Sequence, residues 1–331
     1  MNCNYSAAII GTGSYVPDKI MTNHDLEKMV DTSDEWIKTR TGISERRIAD
    51  ESTATSDLST KAALLALEDA GISAEEIDLV VVATVTPDMA FPSTACIVQK
   101  NIGALNAAAY DLSAGCSGFI YGLASAYGFI SNGMYRNVLV IGAETLSKII
   151  NWEDRNTCVL FGDGAGATVV SRCDKGEGIL SVKIGSNGNH DRLITQPAGG
   201  SRIPVDVESI NKKLNKIHME GGEVFKLAVR TMASVSEAAL EEADITVDDL
   251  KLVIPHQANS RIIQGIFNRL KVSAEKSYIN LDKYGNTSAA SIPLALDEAA
   301  KKGVLKKDDK ILLVAFGSGL TWGASTIKWV K

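Results

Sequence analysis

Cys116, His256 and Asn286 are the residues of this chain whose types and settings could do chemistry together. Cys116 lies in Tyr110-Asp-Leu-Ser-Ala-Gly-Cys-Ser-Gly-Phe119, where an apolar run over 107–112 stops at small residues. A helical pattern then begins, with Phe119, Leu123, Ala126, Tyr127 and Ile130 on one face. Gly133 stands where a helix C-cap would fall. This pattern predicts a thiol on a sharp strand-to-helix turn at a helix N-terminus. The helix dipole and free N–H groups there favour a thiolate, so the pKa is expected to fall. Gly115, Ser117 and Gly118 let a substrate approach and leave backbone N–H groups for an oxyanion. A lone cysteine is commonly a small buried apolar residue. The flanking glycines and the helix start favour a nucleophile instead.

His256 follows the apolar run Leu252-Val-Ile-Pro255 and is expected to emerge at a strand end, where open α/β folds build their sites. Gln257 and Asn259 place polar groups just beyond it. Asn286, in Gly285-Asn-Thr-Ser288, belongs to an ordinary turn dipeptide when taken alone. Beside a neutral histidine, its amide N–H would suit a developing enolate oxygen. His24, His190 and His218 read as structural.

A weak internal duplication suggests what positions these groups. Ala66-Leu-Glu-Asp-Ala-Gly-Ile-Ser-Ala-Glu-Glu-Ile-Asp-Leu-Val-Val81 recurs as Ala239-Leu-Glu-Glu-Ala-Asp-Ile-Thr-Val-Asp-Asp-Leu-Lys-Leu-Val-Ile254, an offset of 173 residues. At the same offset, Asn137-Val-Leu-Val-Ile-Gly-Ala143 meets Lys310-Ile-Leu-Leu-Val-Ala-Phe316, both continuous apolar runs. Two similar α/β halves follow, residues 1–171 carrying Cys116 and residues 172–331 carrying His256 and Asn286. Alternating strands and helices predict mainly parallel sheets. Cys116 maps onto Ala289, in a second small-residue turn that opens a helix. Two helix starts related by pseudo-symmetry would share one site.

Phe161-Gly-Asp-Gly-Ala-Gly-Ala167 matches a dinucleotide fingerprint only loosely, because Thr168-Val-Val170 reads as strand rather than helix. Phe316-Gly-Ser-Gly-Leu-Thr-Trp-Gly323 is a second tight turn, whose Ser318 N–H could face Cys116 as an oxyanion donor. The chain has 331 residues, 45% hydrophobic and 22% charged, as in a soluble globular protein. Its net charge of -6 and lack of basic runs argue against nucleic acid as a partner. Its five cysteines are scattered without a C-x-x-C, which predicts reduced thiols in a cytoplasmic protein and no metal site. No apolar stretch is long enough for a membrane span, and the N-terminus lacks a basic n-region.

Taken together, Ser113-Ala-Gly-Cys-Ser-Gly118, Phe161-Gly-Asp-Gly-Ala-Gly166, His256-Gln-Ala-Asn259, Gly285-Asn-Thr-Ser288, Asp34-Glu-Trp-Ile-Lys-Thr-Arg-Thr-Gly42 and Gly317-Ser-Gly-Leu-Thr-Trp-Gly323 resemble the signatures of β-ketoacyl-acyl carrier protein synthase III. The resemblance runs in order along nearly the whole chain. It implies a thiolase-like fold of two βαβαβαββ halves in α-β-α-β-α layers, a homodimer, and a Cys116-His256-Asn286 triad. It further implies that a short acyl group, acetyl first, passes from acyl-CoA to Cys116. Malonyl-acyl carrier protein then loses CO₂, and its carbanion attacks the acyl thioester. The backbone N–H groups of Cys116 and Ser318 would hold the acyl oxyanion, and no cofactor beyond the substrates is implied.

For CoA, the resemblance implies Trp36 stacking on adenine with Arg155 opposite, Arg40 on phosphate, Thr32 nearby, and Gly221 and Asn259 along the pantetheine arm. Phe91, Leu146, Val159 and Leu160 would set the acyl pocket. Lys226, Arg261, Arg269 and Lys271 would dock the acyl carrier protein. Gly222 and Asn268 depart from an asparagine and a basic residue common in the family. Two other readings share much of this pattern: a synthase of secondary metabolism with the same triad, and a non-catalytic carrier-protein-binding module.

Overall fold

The computed structural model describes residues 5–331. Nine strands form its two main sheets. The first five are β1 (Ser6–Tyr15), β2 (Leu79–Ala83), β3 (Ala108–Leu112), β4 (Asn137–Glu144) and β5 (Gly164–Cys173). The remainder are β6 (Gly178–Ser186), β7 (Leu250–Pro255), β8 (Lys310–Gly317) and β9 (Thr321–Lys328). The principal helices are α1 (Asp34–Thr41), α2 (Thr55–Ala70), α3 (Thr94–Ile102), α4 (Gly118–Ser131), α5 (Gly221–Glu242), α6 (Ser260–Leu270) and α7 (Ser291–Lys301).

The first sheet has the order β1-β5-β4-β2-β3 and the second β7-β8-β9-β6. Reversed, the second order is that of the first with its last strand missing. At that place a single parallel bridge joins Val253 to Ser277. The segment that matches Ala108–Leu112 follows a short 3₁₀ turn, Ala274–Lys276, and pairs through that one bridge.

The sheets are mixed rather than mainly parallel. β2 pairs in parallel with β3 and β4, and β7 with β8, but β5 and β9 run antiparallel to both neighbours. For β8 and β9 the reason is connection length. Only residues 318–320 separate β8 from β9, too few for the crossover that a parallel pair needs.

Alternation along the strands builds three cores. Val80 and Val82 face α2 and α3 through Leu58, Ala62, Val98 and Ile102. Val81 and Val140 face inward with Ile254 and Leu313, where Phe119 and Leu123 of α4 meet Ile292 and Leu296 of α7. Leu312 and Val314 face α5 and α6 through Met232, Ile263 and Ile266. The result is α-β-α-β-α layering with α4 and α7 as the central layer. Each begins after a 3₁₀ turn, Gly115–Ser117 before α4 and Ser288–Ala290 before α7. Gly142 on β4 lies against the second turn, where an added Cβ would fall 2.1 Å from the Ala289 carbonyl oxygen. Only glycine lets the strand end and that turn meet so closely.

Candidate active site

The turn that carries Cys116 exists because Gly115 takes φ +53, a conformation other residues rarely adopt. It ends β3 and opens α4, and Gly133, at φ +79, lies just beyond the far end of that helix. His256 follows Pro255, the last residue of β7, and its N–H donates to the Val314 carbonyl at 2.7 Å. Asn286 is pinned across the two halves. Its N–H donates to Leu160 O at 2.8 Å and its carbonyl accepts from Gly162 N–H at 3.0 Å.

Cys116, His256 and Asn286 line one cavity of ≈ 590 Å³. Arg40, Gly221, Lys226, Asn259 and Arg261 line its outer part. A second cavity of ≈ 190 Å³ meets the first at Cys116 and is lined by Leu146, Ile149, Ile217 and Ser318, among others. The nucleophile candidate therefore stands at the junction of a wide cavity and a small one.

Burial pushes the Cys116 thiol up to about 11, with the Glu144 carboxylate adding to the rise. The Ser288 hydroxyl and the backbone N–H of Cys116 itself pull only partly in the other direction. The thiolate expected from the helix setting is thus not the resting form. Desolvation outweighs the dipole once the sulfur is enclosed by protein.

Burial likewise holds His256 neutral, down to about 3. Its Nδ1 lies 2.7 Å from Ser291 Oγ, and that oxygen accepts the Gln257 N–H at 3.3 Å. With the Ser291 hydroxyl assigned as the donor to Nδ1, the ring proton sits on Nε2, available to donate. Asn286 Oδ1 accepts the Ser288 N–H at 2.9 Å, so its amide N–H groups remain as donors. Two neutral donors converge where negative charge on a thioester oxygen could be held.

Ser291, Ser288 and Glu144 did not stand out in the sequence. Serine is common at helix starts, and nothing in Ser291 or Ser288 marks a partner far along the chain. The only available sign was the mirror relation of the two small-residue turns.

The expected CoA groups gather at the channel mouth. The Arg40 and Arg155 guanidinium carbons lie 5.6 and 5.2 Å from the Trp36 ring centroid. Arg155 also donates to the Asp31 carbonyl at 2.7 Å. Thr32 Oγ1 is buried there without a protein partner. Asn259 caps α6 through the Arg261 N–H and donates to the Arg40 carbonyl at 3.1 Å, tying α1 to α6.

The pocket residues divide. Leu146 lines the small cavity, but Leu160 lines the wide one. Val159 is among the lining of neither, and its carbonyl is taken by the buried Arg46 at 2.8 Å. Phe91 is 84% exposed on the protomer, away from both cavities. The basic residues divide too. Lys226 and Arg261 stand at the channel mouth, whereas Arg269 and Lys271 lie exposed at the far end of α6.

An alanine at Gly317 tests the geometry, because its Cβ would fall 2.4 Å from the Cys116 N. Gly317→Ala is expected to displace the 115–117 turn and to cost about 1–3 kcal/mol of stability. It should also slow modification of Cys116. Denaturant melts and thiol-labelling rates check both, and an unperturbed variant would refute this contact.

Two sheets of matched strand order, layered with helices around paired helix starts, define a thiolase-like condensing acyltransferase. Models of the 3-oxoacyl-[acyl-carrier-protein] synthase III family match residues 110–188 and, for the C-terminal part, residues 240–329. The chain is 65% identical over 326 residues to a β-ketoacyl-[acyl-carrier-protein] synthase III of Caldanaerobacter subterraneus subsp. tengcongensis, with 98% of each covered. It superposes on the 3-oxoacyl-[acyl-carrier-protein] synthase III of Aquifex aeolicus with a TM-score of 0.90 at 50% identity, covering 98% of this chain and 100% of that one. It also superposes on the priming β-ketosynthase of the R1128 polyketide pathway, with a TM-score of 0.92 at 34% identity, covering 99% and 97%. The chain belongs to the β-ketoacyl-[acyl-carrier-protein] synthase III family.

Proposed function

We propose that this protein initiates fatty acid synthesis by joining a short acyl group, acetyl first, from acyl-CoA to malonyl-acyl carrier protein. The observation that carries this reading is the place of Cys116 between two cavities of ≈ 590 and ≈ 190 Å³. The wide one suits a pantetheine arm, with Gly221 and Asn259 along it. The small, largely apolar one suits a short acyl chain.

In this reading Cys116 attacks the incoming thioester and becomes acylated, splitting one hard condensation into two transfers. The N–H groups of Cys116 and Ser318 hold the first oxyanion. Malonyl-acyl carrier protein then enters by the same channel and loses CO₂. His256 Nε2–H and the Asn286 amide donate to the enolate oxygen, both as neutral donors that need no proton of their own to leave. The carbanion attacks the acyl group on Cys116 and releases the β-ketoacyl product.

Trp36 and Arg155 would clasp the adenine, with Thr32 beside them and Arg40 on phosphate. Lys226 and Arg261, joined by Arg269 and Lys271, would receive the acidic carrier protein. Residues 1–171 supply the nucleophile and residues 172–331 the donors. The protein would act in the cytoplasm as a homodimer, the partner subunit's Phe91 closing the acyl pocket. No cofactor beyond the substrates enters this scheme.

The test is incubation with a panel of acyl-CoAs followed by intact-mass measurement. Acetyl and other short donors are expected to add one acyl group at Cys116, with uptake falling as the chain outgrows the small cavity. No adduct with any donor would defeat the reading. The superposition on a polyketide priming synthase favours a second reading, in which the same chemistry feeds a secondary metabolite. Product analysis with several acceptors separates the two.

A further inference from the structure

Glu144 is the last residue of β4, and it is fully buried behind the nucleophile. Its carboxylate accepts from Thr86 Oγ1 at 2.6 Å, from Thr84 Oγ1 at 3.2 Å and from the Val85 N–H at 3.2 Å. It also accepts from Ser288 Oγ at 3.1 Å. Among the described residues no lysine, arginine or histidine is recorded in an ion pair with it. The Cys116 thiol is close enough to feel its charge. A buried carboxylate that only hydrogen-bond donors satisfy is costly to keep, and the reaction scheme above gives it no task.

The hydrogen bonds have a direction. An ionised carboxylate only accepts, so Ser288 must give its hydroxyl proton to Glu144. The lone pairs of Ser288 are then left for the Cys116 thiol, which lines the same small cavity. Ser288 is held in place by its N–H bond to Asn286 Oδ1 at 2.9 Å and sits at φ 49. His256 is a poor competing acceptor, because burial holds its imidazole far below the ordinary value.

We propose that Glu144 takes the Cys116 thiol proton, relayed through the Ser288 hydroxyl, when the sulfur attacks. The proposal rests on Cys116 being the group that is acylated. During attack the S–H bond breaks, Ser288 passes its proton to Glu144 as it receives the one from sulfur, and the S–C bond forms. The acyl–sulfur bond of the donor then breaks, and the departing thiolate takes a proton from solvent at the channel. When condensation later expels Cys116 as a thiolate, Glu144 returns the stored proton by the same route.

One negative charge is present on the pair before and after the transfer. Ionising the thiol with Glu144 still charged would instead bury two like charges a short distance apart. The relay also leaves Glu144 neutral while the anionic malonyl group occupies the site. Glu144 is thus a positioning and proton-storing residue, touching the reacting sulfur only through Ser288.

The test is the rate of Cys116 alkylation by iodoacetamide between pH 5 and 10, followed on the Cys116 peptide. Burial pushes the Glu144 carboxyl up to about 7, so the wild-type rate is expected to rise to a plateau through that region. E144Q and S288A should lose that inflection and react about 10²-fold more slowly at pH 7.5, with a rise only at alkaline pH. E144D should keep the inflection at a lower rate. A wild-type profile in E144Q, or a uniform loss with the inflection unmoved, overturns the relay. If E144Q does not fold, S288A decides alone, because it cuts the relay and leaves the other bonds of Glu144 in place. Alkylation needs no acyl donor, so failure of the acyl-CoA panel and failure of the relay are read separately.

Discussion

Cys116→Ser protein takes up no acyl group from acetyl-CoA, and its condensation rate falls by roughly 10⁴-fold or more. The substitution exchanges a half-buried sulfur for an oxygen of similar placement, so the fold is retained and the loss is chemical. A serine hydroxyl in the same enclosure is far harder to ionise than the thiol, which burial already holds near 11. The neutral His256 presents a donor rather than a base, so it does not rescue the hydroxyl. Intact mass after incubation with acetyl-CoA gives the first readout, and turnover with malonyl-acyl carrier protein gives the second. Condensation at the normal rate by this variant would sink the assignment of Cys116.

His256→Ala and Asn286→Ala are expected to divide the reaction. Each should still be acylated at Cys116 and should lose decarboxylation by about 10²–10³-fold, the usual effect of removing one oxyanion donor. Asn286→Ala also orphans the Ser288 N–H that Asn286 Oδ1 now accepts at 2.9 Å. Asn286→Asp is therefore the sharper variant. It keeps that acceptor, supplies no amide donor, and adds negative charge where negative charge must develop. CO₂ release from malonyl-acyl carrier protein, set beside acyl-adduct mass, reads both halves. Loss of acylation with decarboxylation intact would reverse the assigned roles.

The same burial of His256 shapes stability. Its pKa falls from 6.5 to about 3 on folding. Between those values the unfolded chain binds a proton that the folded chain refuses. The contribution of His256 to stability is therefore complete above about pH 6.5 and is lost as the pH falls toward 3.

Much of the architecture was legible because it rests on local periodicity. The 173-residue offset placed β4 opposite β8 and the Gly115–Ser117 turn opposite Ser288–Ala290, and both pairs occupy matching places in the two sheets. The strand reading of Thr168-Val-Val170 agrees with β5, and the strand end before His256 with β7. Strand direction was less legible. It depends on how many residues join two strands, which put β9 antiparallel to β8. The acyl-pocket residues were the weakest reading. Val159 and Leu160 are neighbours in sequence, yet only Leu160 reaches a cavity, while the Val159 carbonyl accepts a hydrogen bond from Arg46 of another element.

The sequence by itself determined where a thiol, an imidazole and an amide stand in the chain, and that the turns around them repeat. Short-range forces suffice for that: apolar spacing, small residues at turns, and helix starts. The tertiary structure alone decided their protonation and their partners. Glu144 meets Ser288 across 144 residues, and the two halves together enclose Cys116 and His256. Desolvation depends on everything packed around a group, so no local stretch could reveal that the cysteine rests as a thiol with a carboxylate behind it.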